Sequence, residues 1–169
     1  MRNMRFVWLR YGAVNVVRPE LVTETSTVRV HPNFNPATGA NDIALVSINR
    51  VVQPSDNISP VAMPSPDAEM PESARLCGYG TENEGPGETL SCSEVIVEQA
   101  EDGSLVANTD ASRFDIGAPL VRDGVQYGVL SQTDGIDSVF VNVAPYVEWI
   151  TATAGLPRPG AEEDNIFAY

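Results

Sequence analysis

Apolar residues in this chain come in short runs, and their spacing is that of strands. "TSTVRVHP" alternates, with Val28 and Val30 on one face and Arg29 on the other. Denser runs are bounded by turn chemistry: "FVWLRYGAVNVV" ends at Arg18-Pro19, and "NDIALVSI" ends at "NRVVQPSDN". Leu76 to Gly80 and Leu90 to Val97 flank "TENEGPGE", a loop of Gly, Pro and Glu, and "SVFVNVA" reads as a further strand. In "APLVRDGVQYGVLS", Asp123-Gly124 lies between two apolar runs, the signal of a two-residue hairpin turn. Asp102-Gly103 offers a second such turn inside "EVIVEQAEDGSLVANTDAS". The period changes once. After Pro145, which suits a first helical turn, Tyr146, Trp149, Ile150 and Thr153 recur at helical spacing until Gly155 and Pro157 stop them. The remaining "LPRPGAEEDNIFAY" is expected to be a mobile acidic tail. Strands at short spacing with one terminal helix predict an all-β architecture of antiparallel sheets or barrels.

Composition narrows the functions. At 169 residues the chain fits one domain or two small lobes, with enough apolar residues, 43%, for a real core. A formal net charge of -13 argues against nucleic acid or an anionic membrane as partner. No apolar run reaches the roughly 18 residues of a membrane-crossing helix. "MRNMRFVWLRYG" is basic and then apolar, but Arg10 interrupts it and no small-residue cleavage site follows, so it reads as a strand rather than a signal peptide. No metal site is expected, since no CxxC occurs and His31 is the sole histidine, and no cofactor is implied. Asn57-Ile58-Ser59 is a candidate glycosylation sequon.

Several stretches, in order, resemble a trypsin/chymotrypsin-like serine protease. "VRVHPNFNPATGANDIALVSI" is similar to the strand and loop that carry that family's triad aspartate, here Asp42. "NISPVAMPS" looks like its inter-barrel linker, and "LCGYGTENEGPGETLS" like its Gly-Trp-Gly strand, with Tyr79 in the tryptophan's place. "FDIGAPLV" sits where Gly-Asp-Ser-Gly-Gly-Pro-Leu-Val belongs, "GVLSQTDG" where Gly-Ile-Val-Ser-Trp-Gly belongs, and "SVFVNVAPYVEWI" resembles the last strand and C-terminal helix. The resemblance implies two antiparallel β-barrels of the trypsin-like type, the first incomplete, with a short C-terminal helix. It divides residues 1–155 into a partial first barrel (1–55), a linker (56–72), a second barrel of six strands (73–143) and a helix (145–154), followed by the tail at 156–169.

The same resemblance implies that the chemistry has been lost. Ile116 occupies the nucleophile's seat, and a branched hydrocarbon has no lone pair to attack with. Phe114 replaces the glycine whose N–H is one of two oxyanion donors, and Gly117-Ala118 replaces Gly-Gly. Asp115 matches the acid that pairs with a new α-amino group in active members; here it is expected to be satisfied by turn backbone. The family's catalytic histidine precedes the strand that begins at Phe6, so the chain is expected to be truncated before it, and His31 belongs to a different strand. Trp8, Leu9 and Tyr11 would then lack their packing partners. Ser131 matches a serine that orients the substrate backbone and the triad acid. Gln132 and Thr133 replace the pocket wall, Ser138 replaces a glycine that opens the pocket, and Asp110 falls where basic-residue selectors sit, though a solvated loop acid is the plainer reading.

Cys77 and Cys92 lie on opposite strands of the hairpin around the Glu-Gly-Pro loop. They form a disulfide if the register aligns them, and two buried thiols if it does not. The secretion implied by the resemblance favours the disulfide and an extracellular location. The expected function is that of a catalytically inactive homologue binding a protein partner, a protease or a protease substrate. An active endopeptidase of the same family and a β-rich storage or structural protein are the alternatives.

Overall fold

A computed structural model describes residues 6–157. Its first part holds two separate antiparallel pairs. β1 (Val7–Tyr11) pairs with β2 (Leu21–Thr25), and β3 (Val28–Val30) with β4 (Ala44–Val46). Both are shorter than the apolar runs that carry them. Gly12 turns the first run at φ 60, where a Cβ would meet the Glu20 side chain at 2.8 Å. Asn41, at φ 56, keeps "NDIALVSI" from becoming extended until Ala44.

The second part is one sheet. In chain order its strands are β5 (Ser73–Gly78), β8 (Ser91–Ile96), β9 (Glu98–Gln99), β10 (Leu105–Asn108), β11 (Pro119–Arg122), β12 (Val125–Thr133) and β13 (Asp137–Asn142), while β6 (Thr81–Glu82) and β7 (Gly85–Pro86) form a small separate hairpin. The spatial order is β8-β5-β11-β12-β13-β10-β9. β8 and β9 are separated only by Val97, so the two edges of the sheet belong to one stretch of chain and the sheet curls round on itself. Leu105, Leu120, Leu130 and Phe140 are fully buried inside the curl, with Ala74 and Val95.

Turn chemistry sets the registers. Asp123 and Gly124 both take positive φ (49 and 76), as a type I′ turn requires. Gly103, at φ 84, lets Ala100 and Ser104 close the β9–β10 turn. The Glu-Gly-Pro loop is more regular than its composition suggests, because Asn83 and Glu84 adopt the same doubly positive turn and give the β6–β7 hairpin. Cys77 and Cys92 are direct partners in the β5–β8 register and are joined as a disulfide, with Cα atoms 4.1 Å apart.

The C-terminal segment starts as a 3-10 turn at Ala144–Tyr146 and continues as α1 (Val147–Ala154). Gly155 caps it in the left-handed region, its N–H donating to Thr151 O. The buried stripe is Val147, Ile150 and Thr151; Thr153, expected on that stripe, is exposed. Ile150 of this stripe packs with Ile43 and Val143 into a second core bordered by Met63, Val129 and Trp149. The first part is otherwise thinly covered. Trp8 is 65% exposed, Val51 79%, and Leu9 and Tyr11 are half-buried. All of this is an all-β fold with one curled barrel, an incomplete partner and a short terminal helix. The acidic tail beyond Pro157 lies outside the described residues.

Candidate functional site

The turn from Ser112 to Ala118 is organised around a carboxylate. Asp115 is 8% exposed. Its Oδ1 accepts the N–H groups of Tyr79 (2.9 Å) and Gly80 (2.8 Å) at the end of β5. Its Oδ2 accepts the N–H (2.8 Å) and hydroxyl (3.1 Å) of Ser112. Burial pushes the pKa of Asp115 up, but the Ser112, Gly80 and Tyr79 donors together hold it below the ordinary carboxylate value. The donors are all within the chain's own turn and neighbouring strand. The turn is closed further by Asp115 N–H to Ser112 O (2.9 Å) and Ala118 N–H to Asp115 O (2.7 Å).

Its outer surface differs in kind. Phe114 and Ile116 are 39% and 52% exposed, and the Arg113 guanidinium lies 4.8 Å from the centre of the Phe114 ring. The Phe114 N–H is engaged, donating to Ser112 Oγ at 3.1 Å. The face turned to solvent therefore offers two hydrocarbons and a cation.

β12 links this turn to Asp42. Gly117 N–H donates to Leu130 O at 2.8 Å, and the next residue, Ser131, donates its hydroxyl to Asp42 Oδ2 at 2.6 Å. Asp42 is thus held from the second part of the chain. His31, the sole histidine, packs edge-on against Tyr146 and Trp149 (ring centres 5.2 and 4.8 Å away), and its Nδ1 accepts the Asn33 N–H at 3.3 Å.

The wall beside the turn is sealed by hydroxyls. Ser138 is 1% exposed. It donates to Thr133 Oγ1 (2.9 Å), which donates to Ala111 O (3.2 Å), so Thr109, 2.6 Å from Ser138 Oγ, is the donor in that pair. This relay ties residues 109–111 to 133–138. Asp110 stays on the exposed side of it. Gln132 closes against the preceding loop so tightly that a Cβ on Gly39 would lie 2.5 Å from its Nε2. Asn57 is exposed, and its side-chain amide donates to Glu20. Among the described residues no group of three or more His, Cys, Asp or Glu is placed to hold a metal ion.

Sequence reasoning singled out Asp115 without naming its donors, and linked Ser131 to the acid at Asp42 through the resemblance. It missed Ser112 as a double partner and Thr109 as the head of the hydroxyl relay. The Ser-x-x-Asp spacing of Ser112 and Asp115 was the available signal, since that spacing lets the two side chains satisfy each other's backbone.

A family model described as Trypsin matches residues 3–150. Trypsin II-P29 of Gallus gallus is 28% identical over 174 aligned positions, covering 87% of this chain and 70% of the relative. Trypsin alpha of Drosophila melanogaster is 28% identical, covering 79% of this chain and 62% of the relative, so the chain spans only about three fifths of that protein's length. A shorter match is to the Drosophila melanogaster protein named Inactive serine protease scarface, 24% identical over 64% of this chain and 18% of the relative. Among solved structures, one described as "Structure of GrC" superposes with a TM-score of 0.76 at 22% identity, covering 89% of this chain and 83% of the other. At that identity it speaks for the fold alone.

Proposed function

The chain belongs to the trypsin family, and we propose that within it this protein is a non-catalytic homologue that works by binding a protein in an extracellular protease network. The observation that carries the reading is Ile116: the exposed tip of the turn that matches the family's nucleophile segment is a hydrocarbon. Two further observations support it. The Phe114 N–H, at the position of an oxyanion donor, is already bonded to Ser112 Oγ. The Thr109–Ser138–Thr133 relay engages Thr133 and Ser138, two positions that the resemblance assigns to the specificity pocket.

A second reading, an active serine endopeptidase, is favoured by the trypsins among the relatives. Two measurements separate the readings. The purified protein is incubated with a fluorophosphonate probe, and its turnover of peptide esters is recorded. The non-catalytic reading expects no covalent label and background turnover, in the protein as it stands and in Ile116→Ser. Labelling of the unaltered chain at a defined residue, with turnover above background, overturns it. A binding function is then tested against purified secreted trypsin-like proteases and their protein substrates; failure to bind any of them favours the storage or structural alternative.

A further inference from the structure

Among the described residues, β8 is an edge strand whose free side is used at both ends and open in the middle. The short 4.1 Å Cα separation marks Cys77 and Cys92 as a non-hydrogen-bonded pair. The backbone groups of Ser91, Ser93 and Val95 therefore face β5, and those of Cys92, Glu94 and Ile96 face away. Neighbouring bonds agree with this phase. Val97 N–H donates to Glu72 O on the β5 side, while Leu90 N–H donates to Val14 O on the other side. There the segment around Asn15 runs antiparallel to Thr89. Past Val97 the same free side pairs with β10, through Glu98 and Gln99. Between these two occupied ends lie Cys92, Glu94 and Ile96, about five residues or roughly 17 Å of strand with outward N–H and C=O groups.

The surface beside this gap has a definite chemistry. A groove of about 610 Å³ runs between β8 and β10, lined by Glu94, Ile96, Glu98, Val106, Asp137 and Val139 among others. Ile96 is 69% exposed. Its charged lining residues are all acidic; Glu94 is shared with Arg122 at 2.7 Å on the outer face, while no ion pair within 4 Å engages Glu98 or Asp137 among the described residues.

We infer that the Cys92–Ile96 edge and this groove form a strand-addition site for an extended segment of another protein in which cationic and apolar residues alternate. Backbone bonds to Cys92, Glu94 and Ile96 supply the ladder. Cationic side chains on the outer face meet Glu98 and Asp137, and the alternate apolar ones turn inward toward Val95 and Ala107, which also line the groove. The chain's own Val14–Val16 segment already uses this edge in the same way. The site lies apart from the turn at 112–118 and stands whether or not that turn is inert.

The test is titration of the full chain with acetyl-Arg-Val-Arg-Val-Arg-amide and with the analogue carrying Glu in place of each Arg. Hydrogen exchange of individual amides is followed throughout. The cationic peptide is expected to bind at least about tenfold more tightly at low salt, with slowed exchange at Cys92, Glu94 and Ile96. Ile96→Pro removes an outward N–H that makes no bond to β5, so the fold stands while binding falls about tenfold below that of Ile96→Ala. The pair Glu98→Gln and Asp137→Asn weakens binding of the cationic peptide by a similar factor. Equal binding of both peptides, unprotected amides, or an Ile96→Pro no weaker than Ile96→Ala overturns the inference. So does protection that rises with protein concentration without peptide, which would make the occupant a second copy of this chain.

Discussion

Ser131 donates its hydroxyl to Asp42 at 2.6 Å, joining residues 89 positions apart. Ser131 is buried on β12, beside the strand positions that hold the Ser112–Ala118 turn, and Asp42 precedes Ile43 of the second core. One short bond thus ties the sparse first part of the chain to the barrel. Removing it leaves a half-buried carboxylate without this donor. Ser131→Ala is expected to cost about 1.5–3 kcal/mol, the range for a hydrogen bond to a charged group. Urea unfolding followed by tryptophan fluorescence reads this directly, since Trp149 borders the same core; an unchanged midpoint would show the bond to be incidental.

Asp115 gives stability a pH dependence of known sign. Its native pKa lies below the ordinary value of 3.8, so the unfolded chain binds the proton more readily than the folded one. The contribution is complete above the ordinary value and is lost as pH falls through the lower native one. Asp115→Asn can present only one oxygen to two pairs of donors, and is expected to cost about 2–3 kcal/mol at pH 7. The gap between the two proteins should narrow in the acid range as the parent carboxylate is protonated. Denaturant melts of both at neutral and acid pH check this; a gap independent of pH would mean that the charge is not what stabilises the turn.

Gly78 sits where the cradle of Asp115 comes closest to β5. A Cβ there would lie 2.3 Å from Asp115 Oδ1 and 2.7 Å from its Cγ. The carboxylate cannot swing aside without releasing Tyr79, Gly80 and Ser112. Gly78→Ala is therefore expected to cost about 2 kcal/mol or more. Gly103→Ala is the contrast, with open space around its Cβ but a φ of 84, and should lose only about 1 kcal/mol. If thermal unfolding shows the two variants equally destabilised, the close approach at Gly78 is not rigid.

These elements were unequally legible in the sequence. Asp123-Gly124 and Gly155 act through local backbone sterics, which a few residues suffice to encode, so their turn and cap could be read directly. Ile116 took its meaning only from the resemblance that sets it at the nucleophile's seat, since an isoleucine alone says nothing of a reaction. Thr151 was not separable from Thr153, because two threonines on one short helix differ only in which of them faces the core. Asn83-Glu84 was hidden for another reason: Glu gives no hint of positive φ, and the turn is imposed by the pairing of Thr81 with Pro86. The Ser131–Asp42 bond joins distant segments and was legible only through the resemblance, while the Thr109–Ser138 contact has no local pattern to announce it.

The Cys77–Cys92 bridge spans a separation of 15 residues containing the β6–β7 hairpin. A closed loop of that size restricts the unfolded chain by about 3 kcal/mol in the chain-entropy account. Its position gives the bond a second consequence. Cys77 immediately precedes Gly78, Tyr79 and Gly80, whose last two N–H groups hold Asp115. Replacing both cysteines with serine removes the restriction but leaves the β5–β8 ladder, whose bonds run through Ser91, Ser93 and Val95 on either side of the pair. The double variant is expected to fold, to lose about 2–3 kcal/mol in urea unfolding, and to show faster amide exchange at Tyr79 and Gly80 while Leu76 stays protected. Loss of protection along the whole of β5 would mean that the ladder depends on the bridge for its register, and unchanged exchange at Tyr79 would mean that the cradle is set by Asp115 alone.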